Sequence, residues 1–198
     1  MNYLAHFYLS NYDEDLIIGN YIADDVKGKA YLNYPLEIQK GILLHRKIDS
    51  YTDTHKIVLN SKNLIRYHQK KYTPVVIDVF YDYFLAKYWE NYSKERLKDF
   101  TVFIYKTLFK SIKHLPLKSQ IRLPFMAKSN WLYNYREIKG IERALKGLSK
   151  RSNYSNNMAQ AYIILKEKED LLKEDFNAFF PELKSYANDE IKIANSSF

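Results

Sequence analysis

The segment His45-Arg46-Lys47-Ile48-Asp49-Ser50-Tyr51-Thr52-Asp53 constrains this chain more than any other. It sets a histidine and two carboxylates at i, i+4 and i+8, the spacing that places side chains on one face of an α-helix. Ile38 and Ile42 lie upstream on the same stripe, so the polar groups fall where a helix normally presents apolar side chains to a core. An ionised carboxylate in such a place is costly unless a partner compensates it. A divalent cation is the natural candidate, because imidazole nitrogen and carboxylate oxygen are its usual ligands.

Three further positions repeat the anomaly. Asp78 and Asp82 are spaced i, i+4; Asp82 falls among Val75, Val79, Ala86 and Trp89, and Asp78 lies at the edge of that stripe. Asn20 and Asp24 are spaced likewise in an apolar Leu-Ile-Ile-Ala context. His6 stands among Leu4, Phe7, Tyr8 and Leu9. Each has a plainer explanation alone: a core histidine bonded to a carbonyl, a cap, or an ion pair with Lys71 or Lys87. Together they describe an oxygen-rich site suited to Mg²⁺ or Mn²⁺ and to hydrolysis of phosphoesters. With no cysteine in the chain, thiolate nucleophiles and cysteine-bound zinc are excluded.

The remaining pattern is helical. Five glycines and five prolines in 198 residues leave little room for turns. A helix capped by Asp13 or Asp15 is expected through Asp24, and a second from Pro35 through Asp49. Others are expected over about 57–69, from Thr73-Pro74 to Trp89, and over 94–113 after a cap at Ser93. Further helices should end at Pro124, span about 135–148, and run from about 156 to 180, with Pro181 ending or kinking the last. The tail beyond Tyr186 is expected to fray, and strand-like alternation occurs only at 3–9. The fold class is therefore all-α, a single helical domain over residues 1–198. No stretch suits a bilayer and no signal peptide opens the chain, so a cytoplasmic protein is expected.

The formal net charge is +8. Either a lysine-rich solvated surface or an acidic partner, nucleic acid or protein, accounts for it. No P-loop and no recognised nucleic-acid module is present.

The string Asn2-Tyr3-Leu4-Ala5-His6, with Leu9, Gly19-Asn20, Ala23-Asp24, Gly41-Ile42, His45-Arg46, Ile48-Asp49 and Thr52-Asp53, resembles the acyl carrier protein phosphodiesterases. Asp78-Val79, Asp82, Phe84-Leu85, Trp89, Trp131-Leu132, Tyr135-Arg136, Ile141, Leu145, Gly147 and Arg151 extend the likeness to about residue 151. The resemblance implies a helical bundle of the HD-phosphohydrolase type, in an atypical branch. It also implies cleavage of the phosphodiester joining 4'-phosphopantetheine to a serine of holo-acyl carrier protein, with Mn²⁺ favoured over Mg²⁺. The acidic carrier would be the partner, with neither nucleic acid nor membrane involved. On this reading His6, Asp24, His45, Asp49, Asp78 and Asp82 supply the metal shell. Asp24, His45, Asp49 and Asp53 are catalytic, with Asp53 or His55 managing the proton, and Arg46, Arg136 and Arg151 neutralise the phosphate. Lysines of the 94–113 helix, with Arg143, Lys146, Lys150 and Arg151, would dock the carrier. Tyr83 stands where the family pattern has a histidine. Two other classes stay open: an HD-like hydrolase of a nucleotide or other small phosphodiester, and a non-catalytic basic binding module.

Overall fold

The computed structural model describes residues 1–196, and among them there is no strand. Eleven α-helices follow in order: α1 Tyr3–Tyr8, α2 Glu14–Ile22, α3 Leu36–Thr54, α4 Lys56–Gln69, α5 Thr73–Lys87, α6 Leu97–Lys110, α7 Leu117–Lys128, α8 Trp131–Asn134, α9 Ile138–Arg151, α10 Ala161–Glu167 and α11 Glu169–Ser196. Helix α5 is apolar almost all round and buries eleven of its fifteen residues, as a helix must when neighbours cover every side. Helices α1, α4, α9 and α11 pack against it. Among the described residues, no helix is long and apolar enough to cross a membrane.

Helix α2 starts where Asp13 accepts a hydrogen bond from the Leu16 amide at 2.9 Å. It then crosses α3 at a glycine pair. A Cβ on Gly19 would lie 2.4 Å from the Ile38 carbonyl oxygen, and one on Gly41 would lie 2.7 Å from that of Leu16. The two backbones therefore touch, which brings the end of α2, with Asp24 just beyond it, against the His45 turn of α3.

Several boundaries differ from the sequence reading. Residues 3–8 form a helix rather than a strand-like stretch, because both oxygens of Asp82 accept its first-turn amides. Ser93 does not cap α6; its hydroxyl accepts from Glu95 N in a turn, and the helix opens after Arg96. Trp89 lies beyond α5 on a 3-10 turn, its indole bonded to the Glu95 carbonyl. Pro124 and Pro181 are exposed and sit inside α7 and α11. The expected last helix is two, α10 and α11, broken at Lys168, and α11 stays helical well past Tyr186.

Candidate metal centre and cleft

Three helices converge on one point. Helix α1 delivers His6, α3 delivers His45 and Asp49, and α5 delivers Asp78. His6 Nε2 lies 3.1 Å from Asp49 Oδ1, and His45 Nε2 lies 3.2 Å from Asp49 Oδ2. The two imidazoles stack with ring centroids 3.9 Å apart. Ligand atoms of His6, His45 and Asp49 all fall within 4.8 Å of one another. The α-ammonium of Met1 is buried beside them, 3.2 Å from Asp49 Oδ1 and 3.1 Å from Asp78 Oδ1.

The hydrogen-bond network fixes the state of His6. The Asn20 amide nitrogen donates to Ser10 Oγ and to the Leu16 carbonyl, so Asn20 Oδ1 is left to accept from His6 Nδ1 at 3.1 Å. Burial, and then the charge of His45, lower the His6 pKa to about 4, so the ring is neutral at pH 7. Its Nε2 therefore carries a lone pair, aimed at Asp49 Oδ1 and at the Met1 carbonyl oxygen 3.2 Å away. Lone pairs facing one another across about 3 Å repel unless a cation lies among them.

The surrounding charges are graded. Burial opposes protonation of His45, but hydrogen bonds and charge from Asp24 and Asp49 outweigh it and raise its pKa to about 9. Asp49 is held far below the carboxylate range: burial pushes it up, and the Met1 ammonium with His45 more than reverses this. The His45 imidazole, 3.6 Å away, lowers Asp24. Asp78 is pushed up by burial, against the pull of the Met1 ammonium.

This cluster adjoins a cleft of about 950 Å³. Asp24, His45, Asp49 and Asp78 line it together with Met1, Asn2 and Tyr3. Its walls come from α7, with Lys118, Ile121, Arg122 and Phe125, and from α9, with Arg143, Gly147 and Arg151. Arg122 donates to Asp25 at 2.8 Å and lies over the Tyr3 ring.

Other sequence-singled residues lie elsewhere. Asp82 is buried one turn from Asp78, and its oxygens accept the Leu4 and Ala5 amides at 2.8 and 3.1 Å. Burial raises its pKa to about 7. Asp53 pairs with the buried Lys62 at 2.7 Å, and His55 caps α4 and meets Glu182. Arg46 ties the loop after Asp24 by donating to the carbonyls of Val26 and Gly28. Arg136 pairs with Glu137 and covers Tyr133. Neither arginine lines the cleft, whereas Arg151 does. Tyr83 donates to Glu169 of α11 and accepts from Lys87, so its hydroxyl is engaged outside the histidine cluster. Spacing did not mark Arg122, Lys118, Tyr3 or the Met1 ammonium; Tyr3 alone lay inside a quoted motif.

The family model described as acyl carrier protein phosphodiesterase matches residues 1–183, further along the chain than the motifs reached. A protein of Yersinia pestis bearing that name is 28% identical over 188 residues, covering 94% of this chain and 97% of its own. One from Enterobacter sp. (strain 638) is 28% identical over 191 residues, covering 96% and 99%. One from Salmonella dublin is 27% identical over 188 residues, covering 94% and 97%. No solved structure matched the chain.

Proposed function

The chain belongs to the acyl carrier protein phosphodiesterase family, and from that premise we propose how its residues do the work. It is a hydrolase acting on the phosphodiester of holo-acyl carrier protein, releasing 4'-phosphopantetheine and the apo-carrier. The observation that carries the metal assignment is the convergence of the His6 Nε2 lone pair, Asp49 and His45 beside the cleft. Two imidazoles and a carboxylate fit a divalent ion of borderline hardness, with Mn²⁺ favoured and Mg²⁺ second. His6, His45 and Asp49 would hold it, with Asp24 and Asp78 adjoining. The bundle is read as HD-phosphohydrolase-like on the same ligand set.

When bound, such an ion polarises a phosphodiester oxygen and lowers the pKa of water. The residues of the chain supply the rest. Arg122, held by Asp25, and Arg151 are placed along the cleft to neutralise the phosphate, since guanidinium matches its geometry. Asp24 is the most exposed carboxylate of the group and is placed to accept the proton of the attacking water. The water oxygen bonds to phosphorus, the bond from phosphorus to the serine oxygen breaks, and the serine oxygen takes up a proton.

The test is to incubate the protein with holo-carrier and Mn²⁺ and weigh the carrier. The expected result is loss of the phosphopantetheine mass, blocked by a chelator. An unchanged carrier mass would reject the reading.

A further inference from the structure

Helix α7 is oriented unusually for an amphipathic helix. Ser119, Leu123 and Met126 face the core, yet Leu117, Ile121 and Phe125 repeat at i, i+4 and i+8 on the outer side. They are 70%, 57% and 63% exposed. A continuous exposed apolar stripe of this kind marks an interaction surface more often than chance scatter. Ile121 and Phe125 also line the cleft, as do Arg143 and Arg151 of α9.

The charge is concentrated at the same place. Helix α7 carries three basic residues and no acid, and α9 carries five with the single acid Glu142. The two helices together carry a net charge of +7, in a chain whose net charge is +8. Asp49 and His45 line the same cleft.

We propose that the α7–α9 mouth, with Ile121 and Phe125 as apolar anchors inside a ring of Lys118, Arg143 and Arg151, is the docking surface for the folded carrier protein. It would receive an acidic, amphipathic helix of that partner and so bring the serine phosphodiester into the cleft that Asp49 and His45 also line. The inference rests on the hydrolase reading above. An apolar centre fringed by charge is the arrangement that concentrates affinity in few residues and steers an acidic partner. It moves the docking role away from α6, none of whose residues lines the cleft, to α7, and keeps Arg143 and Arg151 of the α9 set.

The experiment is titration with apo-carrier, which has no prosthetic arm and so reports docking alone. Ile121→Ser with Phe125→Ser is expected to weaken binding by about tenfold or more, because buried anchors dominate such interfaces. Val102→Ser, at an exposed apolar residue of α6, should leave affinity unchanged. Both variants should melt like the wild type, since only exposed side chains change. Wild-type affinity should also fall as salt rises. Unchanged affinity in the double variant overturns the proposal, as does an equal loss in Val102→Ser. Recruitment to anionic phosphatidylglycerol vesicles, or a dimer that the double variant abolishes, also overturns it if carrier affinity stays intact. The cleavage assay on wild type with holo-carrier separates the two claims: cleavage with unaltered docking in the double variant would sink only the surface.

Discussion

Replacing Asp82 by alanine separates a structural carboxylate from a metal ligand. The first turn of α1 has no side-chain cap from Asn2, and its Leu4 and Ala5 amides donate instead to Asp82 Oδ2 and Oδ1. All of these groups are buried. Each buried donor left without an acceptor costs about 1–3 kcal/mol, so two cost roughly 2–6 kcal/mol. Relief from burying an acid whose pKa is raised to about 7 returns part of that. A net loss of about 2–4 kcal/mol remains, which lowers Tm by roughly 5–15 °C for a chain of this length. Asp82→Asn keeps one acceptor and should lose about half as much. The assay is thermal unfolding by circular dichroism in a chelator and again with Mn²⁺. The deficit should be present in the chelator, because it arises from two amides. A variant that matches the wild type in chelator, and lags only when metal is added, would refute the cap and make Asp82 a ligand.

Asp49→Ala should abolish metal-dependent turnover while the protein stays helical by circular dichroism; Asp53→Ala should keep turnover within a few-fold, because Asp53 is paired to Lys62 outside the cleft. Gly41→Ala puts a Cβ 2.7 Å from a backbone carbonyl and should cost about 3 kcal/mol by denaturant unfolding, at the high end for overpacking, since helix backbones must part. The folded pKa of His45, about 9, lies above the ordinary 6.5. Its stabilisation of the metal-free protein is thus full below about pH 6.5 and lost as pH rises through about 9, a slope that His45→Gln should remove from a Tm-against-pH series. By the same proton competition, metal affinity measured by titration should strengthen as pH rises toward 9. Tyr83→Phe should leave metal affinity unchanged, since its hydroxyl is spent on Glu169 and Lys87.

The helix carrying His45 and Asp49 was legible because its polar groups broke an apolar stripe, and the structure brings both together with His6. The same rule misplaced Asp53 and Asp82 for a physical reason. Spacing tells which face a residue occupies but not what packs there: Lys62 from α4 meets one, and two backbone amides from α1 meet the other. Arg46 looked like a phosphate ligand because it adjoins His45, yet its neighbour in space is the loop 26–28. The outer stripe of α7 stayed hidden because an apolar i, i+4, i+8 pattern reads as core until the buried face is known to be Leu123 and Met126. Long helices survived Pro124 and Pro181, which sequence reading treats as stops, because both prolines face solvent.

The central claim is that His6, His45 and Asp49 form one metal centre. Titration of Mn²⁺ followed by electron paramagnetic resonance of the free ion tests it without any turnover. The wild type should take up Mn²⁺ at one tight site, His6→Ala and Asp49→Ala should lose it, and Asp53→Ala should retain it. Tight uptake that persists in Asp49→Ala, or disappears in Asp53→Ala, would contradict the account.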